Sequence, residues 1–171
     1  MGVPGVPPSS RFNFAQHVFA RNAGRAGKAA YVDDAGTLTY GELERAAGRM
    51  AAALAALGLR REERVFVCML DTLDWPVTFL GALHAGVVPA AINTLLTADD
   101  YAYMLEHSRA QAVFVSGALL PVVTQAMARA AHEVRHVIVS RPTGPLPAGA
   151  HDFAALLAAQ SGNAPPPAAT Q

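Results

Sequence analysis

A single cysteine, Cys68, stands in 171 residues, which excludes an intrachain disulfide. That scarcity suits a reducing compartment, so a cytoplasmic location is expected. Surplus charge of either sign is missing too: Lys plus Arg is 13 and Asp plus Glu is 13. The balance gives no electrostatic reason to expect nucleic acid or an anionic membrane as partner. Every apolar run is broken by Gly, Pro or polar residues before it could span a bilayer. The opening stretch MGVPGVPPSSRF has prolines where a secretory signal has its apolar centre. Position 6 is Val6, where myristoylation needs Ser or Thr. No G-x-S-x-G occurs, which excludes a nucleophile elbow. A phosphate loop is also missing. GRAGK (Gly24 to Lys28) would need Gly at position 22 and Ser or Thr after the lysine, and the chain has Asn22 and Ala29. GRAGK also precedes a strand, whereas anion sites use amides at a helix N-terminus.

Apolar residues and punctuation are plentiful. Hydrophobic content is 52%, much of it alanine, in a length that suits one domain. Residues 1–10 read as a flexible N-terminus, 11–160 as a partial α/β domain, and 161–171 as a Pro/Ala-rich linker or truncated tail. A first helix is expected over Phe14 to Arg21, then a hairpin around Asp33-Asp34-Ala35-Gly36. Tyr40 to Leu57 is the clearest helix. Thr39 and Glu42 form a capping box, Leu38 and Leu43 a hydrophobic staple, and Gly58 a left-handed terminator. Val65 to Leu70 is continuously apolar, as in a parallel strand covered on both faces. A helix with Asp74 and Pro76 in its first turn and Gly86 after its end follows, then a second buried strand, Val87 to Ile92. Thr97 and Asp100 open another helix, striped by Tyr101, Met104 and Leu105. Ala112 to Val115 and Val137 to Val139 are the next strands, with an amphipathic helix from Leu119 to Ala130 between them. Alternating strands and helices predict an α/β fold with a mostly parallel sheet.

Signals for chemistry are sparse. HEVRH (His132 to His136) matches the zinc-peptidase pattern, which needs both histidines on one face of a helix and Glu133 as base. Here the match straddles a helix end and a strand start, and only His151 offers a third ligand, so a surface histidine pair is the preferred reading. Asp71 and Asp74 flank the carboxyl end of a strand, where α/β sheets bind ligands; helix capping is the simpler role. Trp75 is read as packing at the helix start, His84 as a satisfied core residue, and Cys68 as a small buried apolar residue. From the residues alone an α/β domain is specified, and no reaction.

Two phrases go further. LTYGELERAAGRMAAALAALGLRREERVFV and FLGALHAGVVPAAINTLLTADDYAYMLEHSRAQAVFV resemble the N-terminal signature of the acyl-adenylate-forming superfamily, the acyl-CoA synthetases and their relatives. The resemblance runs from about Phe14 to Val139. The usual Gly-Asp before the arginine is Glu62-Glu63 here, and Asp71 stands where Asn is common. DTLDWPVTFLGA together with NTLLTADDYAYML is most similar to the benzoate-CoA ligase branch.

This resemblance implies the first part of the large N-terminal domain of a two-step ligase. ATP, magnesium and coenzyme A would serve the whole enzyme, with a benzoate-type carboxylate as substrate and breakdown of aromatic compounds as setting; a homodimer of the whole enzyme stays open. The family's Ser/Thr/Gly-rich loop, adenine region and lid lysine do not occur in this chain, so no catalytic and no metal residue is assigned and the fragment alone is expected to be inactive. Asn93, Thr94 and Leu95 are the nearest candidates to the coenzyme A channel. The position after Asn93-Thr94 is basic in some relatives; here it is Leu95, so a phosphate-binding role is not carried over. Two other readings remain: a stand-alone α/β interaction or nucleotide-binding module, and a zinc hydrolase built on His132 and His136.

Overall fold

The computed structural model describes residues 12–160 and 165–168, so the expectation for residues 1–10, and that for 161–171 apart from 165–168, lies outside the described residues. Two strands organise the rest. β3 (Arg64–Cys68) and β5 (Ala112–Ser116) pair in parallel, and Val65, Phe66, Val67, Cys68, Val113, Phe114 and Val115 are all sealed from solvent. Because strand side chains alternate, Val65, Val67 and Phe114 enter one core while Phe66, Cys68, Val113 and Val115 enter another. A run that is apolar at every position is therefore what a sheet covered on both faces requires.

Among the described residues the sheet has five strands in the order β4 (Val88–Ala91), β3, β5, β6 (His136–Ser140), β7 (His151–Asp152), all parallel. Helices α1 (Phe14–Asn22), α2 (Tyr40–Ala56), α3 (Asp74–Ala85) and α6 (Phe153–Ala158) contribute to the first core. Helices α4 (Ala98–Ser108) and α5 (Leu120–Met127) contribute to the second. A separate antiparallel hairpin, β1 (Ala29–Asp33) and β2 (Gly36–Thr39), precedes α2.

Local chemistry sets the element boundaries. The Thr39 hydroxyl accepts from the Glu42 amide at 3.3 Å, and the Glu42 carboxylate accepts from the Thr39 amide at 2.8 Å. Thr97 and Asp100 repeat the capping box at α4. Gly58 and Gly86 turn the chain at φ of 75° and 74°, a region costly for residues with a Cβ. α2 and α3 meet at Gly81, where a Cβ would lie 2.5 Å from the Met50 Cβ.

One strand differs from its expectation. Val87 to Ile92 was expected to be buried like β3, yet β4 is the sheet's edge and Val88 is 41% exposed. Pro89 explains the placement: it has no N–H to give to a further strand, so it suits an edge. The helix expected to reach Ala130 ends at Met127.

Candidate functional site

The carboxyl ends of β3, β4, β5 and β6 lie on one edge of the sheet, where parallel α/β folds commonly take ligands. After β3 the chain crosses from Met69 to Leu73 before α3 begins. The Ser116 hydroxyl, at the end of β5, accepts the Leu70 amide at 2.9 Å and holds this crossing down. Two clefts flank it. One of about 310 Å³ is lined by Tyr31, Val32, Asp71, Thr72, Leu73 and Trp75. The other, of about 390 Å³, is lined by Leu70, Asp71, Trp75, Ile92, Asn93 and Thr94 among others. Trp75 stacks on Phe79 with ring centroids 4.9 Å apart, so the indole is fixed by its own helix.

Of the residues expected nearest a ligand channel, Asn93 and Thr94 line the second cleft together with Asp71, while Leu95 is 89% exposed and lies outside it. Their loop is held from below. The buried Tyr101 hydroxyl donates to the Asn93 carbonyl at 2.9 Å and accepts the Leu96 amide at 3.3 Å. Burial, reinforced by the neighbouring Cys68, pushes the Tyr101 phenol up to about 12, so it stays a donor at neutral pH. The Asn93 side-chain oxygen accepts the Leu95 amide at 2.9 Å and closes a local turn.

A polar cluster on this edge leaves little trace in the sequence. Arg141, just past β6, contacts Asp33 at 2.5 Å and lies 3.6 Å from Asp74. The Ser140 hydroxyl donates to Asp74 at 2.6 Å. Asp33 also accepts the amides of Leu73, Ala35 and Gly36. The Leu73 amide does most to hold the Asp33 carboxyl down at about 2; partial burial opposes it, and Arg141 and the Ala35 amide add to it. The hairpin, the start of α3 and the end of β6 are thus joined at one guanidinium. Gly117 lets the chain after β6 pass close to the end of β5, because a Cβ there would lie 2.4 Å from the Arg141 carbonyl oxygen. Arg141 itself has a φ of 49°. The only sequence signal was a Ser-Arg pair ending an apolar strand.

Capping is therefore not the role of Asp74. It is the first residue of α3, whose N-cap is Leu73 without a side-chain bond, and its carboxylate goes to Ser140 and Arg141 instead. Asp71 is exposed and lines both clefts.

The other motifs resolve locally. Residues 131–135 are not helical, Glu133 is paired with Arg109 at 2.6 Å and bonded to Gln111, and the His136 ring lies 5.7 Å from that of His151 on the neighbouring strand. HEVRH therefore lacks the shared helical face its chemistry needs. GRAGK is a turn, with the Lys28 amide donating to the Arg25 carbonyl at 2.9 Å. His84 is buried as expected, and among the described residues only one of its ring nitrogens has a partner. Burial pushes the Cys68 thiol up, as an inert core cysteine requires. The Asp33 and Asp74 carboxylates do not fit magnesium. Asp33 and Asp74 spend their oxygens on Arg141, Ser140 and backbone amides, where a hard cation needs converging free oxygens.

These features define a three-layer α/β framework with a preformed edge at the carboxyl ends of its strands. Residues 18–170 match the family described as AMP-binding enzyme. The chain belongs to the AMP-binding enzyme family. It is 45% identical over 161 residues to a benzoate–CoA ligase of Thauera aromatica, covering 92% of this chain and 29% of that protein. It is 43% identical to a 4-hydroxybenzoate–CoA/benzoate–CoA ligase of Rhodopseudomonas palustris, with the same coverage. Among solved structures, a benzoate CoA ligase from Burkholderia xenovorans superposes with a TM-score of 0.78 at 52% identity, covering 92% of this chain and 30% of that one. An anthranilate CoA ligase in complex with anthranoyl-AMP superposes with a TM-score of 0.84 at 27% identity, covering 94% and 31%. The chain thus spans 29% of the length of the two curated relatives named.

Proposed function

We propose that these residues are the framework portion of an ATP-dependent aryl-CoA ligase that takes benzoate or a substituted benzoate. One observation carries the reading: identity to the two benzoate-type ligases is 45% and 43% over 92% of the chain, against 28% over 81% for a long-chain-fatty-acid–CoA ligase of Escherichia coli. In the proposed reaction a carboxylate oxygen attacks the α-phosphorus of ATP, pyrophosphate leaves, and an acyl-adenylate remains. The thiol of coenzyme A then attacks the acyl carbon, loses its proton and expels AMP, giving the thioester. Magnesium belongs to this reading as the partner of ATP, held by groups outside this chain.

The chain's own part is positioning. Arg141, through Asp33 and Asp74, fixes the β6 end against the start of α3. Tyr101 fixes the Asn93–Leu96 turn. Asn93 and Thr94 are the residues we place nearest coenzyme A; Leu95, exposed and uncharged, gives its phosphates no counter-charge. No group here is assigned to bond making or breaking, and the 171 residues alone are proposed to be inactive. A cytoplasmic setting in the breakdown of aromatic acids fits the reading; among the described residues no helix is long and apolar enough to cross a membrane.

ATP–pyrophosphate exchange tests the substrate class. A ligase carrying these residues should exchange with benzoate or a ring-substituted benzoate. Exchange with long-chain fatty acids and none with any benzoate would overturn the aryl assignment.

A further inference from the structure

The Pro/Ala tail composition suggests a linker, yet Pro165–Ala168 lie against the carboxyl end of α3, far from any linker geometry. The Ala168 amide donates to the His84 carbonyl at 2.9 Å. The Asn13 side-chain amide donates to the Ala168 carbonyl at 2.7 Å and to the Leu83 carbonyl at 2.8 Å. The His84 ring Nε2 lies 2.8 Å from the Pro165 carbonyl; since a carbonyl only accepts, Nε2 carries the proton. Asn13 and His84 are 5% and 8% exposed, so these bonds are shielded from water.

The arrangement answers a specific need. The last carbonyls of a helix have no partner within it. At α3, Gly86 and Val87 amides reach back to Leu83 and Ala82, and the remaining demand of Leu83 and His84 is met from two distant segments, Asn13 and Ala168. The sequence PPPA is suited to this. Three prolines favour an extended, pre-ordered segment, which lowers the entropic cost of docking. They also carry no N–H, so Ala168 is the first residue after Pro165 with an amide to give. Gly86 leaves the room: a Cβ there would lie 2.7 Å from the Ala168 Cβ.

We propose that Pro165–Ala168 is a docked strap that completes the carboxyl-terminal cap of α3 and delivers the chain at residue 168 beside α1. Asn13 is its positioning residue. Its Oδ1 caps α1 through the Gln16 amide at 3.1 Å while its Nδ2 holds the strap, so one side chain ties the start of the described fold to its end. The strap does not depend on the ligase reading.

Amide hydrogen exchange on the full 171-residue chain tests it. Ala168 should exchange at least ~10-fold more slowly than an unstructured amide, since only a docked segment protects. Asn13→Asp keeps the α1 cap oxygen and removes the donor, and should return Ala168 to the unstructured rate. Ala168→Pro deletes the strap's donor in a peripheral segment, and should speed exchange at Gly86 and Val87; Ala168→Ser, which keeps the amide, should not. An unprotected Ala168 in the unaltered chain overturns the strap. Protection that survives Asn13→Asp overturns the role of Asn13, and unchanged Gly86 and Val87 exchange in Ala168→Pro overturns the capping role.

Discussion

Asp33 gathers three amides and a guanidinium on two carboxylate oxygens, and its partners are drawn from residues up to 108 positions away. Such a group must ionise to do its work, which makes it a sensor of acid. Its folded-state value of about 2 lies below the ordinary 3.8, so its contribution is complete above about pH 4 and is lost as pH falls toward 2. Asp33→Asn keeps the shape and removes the charge. It should lower the melting temperature at pH 7 and flatten the fall in stability between pH 4 and 2. Thermal melts across that interval check this; an unchanged acid profile would mean that Asp33 is not a principal contact between hairpin and sheet. Asp33 and Asp74 read from the sequence as a turn residue and a capping candidate because those roles are local. Their observed partner, Arg141, is invisible to any window of neighbouring residues.

Gly81 illustrates how one position decides the meeting of two helices. Replacing glycine by alanine in a helix interior ordinarily gains about 1 kcal/mol of propensity. Here the added Cβ would sit 2.5 Å from the Met50 Cβ and 3.0 Å from the Ala47 carbonyl oxygen. Neither is a flexible side-chain tip, so α2 and α3 must separate, at a cost of about 1–3 kcal/mol for overpacking. Gly81→Ala should therefore destabilise, by up to roughly 2 kcal/mol once the propensity gain is subtracted, read as a lower urea midpoint; a higher midpoint would show that the helices yield freely.

The elements legible in the sequence are those written in local chemistry. The boxes at Thr39 and Thr97 and the terminators Gly58 and Gly86 mark helix ends, and the unbroken apolar runs of β3 and β5 mark a doubly covered sheet. The edge position of β4 turned on one proline within an otherwise apolar run. β7, two residues long, and the short α6 after it carry too little pattern to register. The strap reads as a linker because proline composition is common to both, and only the amide after the prolines separates them.

At the scale of the whole molecule, a sealed interior contrasts with apolar side chains left exposed at the strand ends. Around the clefts at the strand ends, Val32 is 71% exposed, Tyr31 44% and Leu70 40%, and among the described residues β4 has no strand on its outer side. Exposed apolar surface and an unpaired strand edge both invite association. The 171-residue chain should sediment as concentration-dependent oligomers. A monomer with a sharp, concentration-independent thermal transition would favour a self-contained α/β module instead.

That same chain gives the most direct measurement of whether framework and chemistry are separate here. Benzoate-dependent ATP–pyrophosphate exchange should be at background for residues 1–171, since no assigned residue handles phosphate or carboxylate. Robust, benzoate-dependent exchange from the isolated chain would contradict the account.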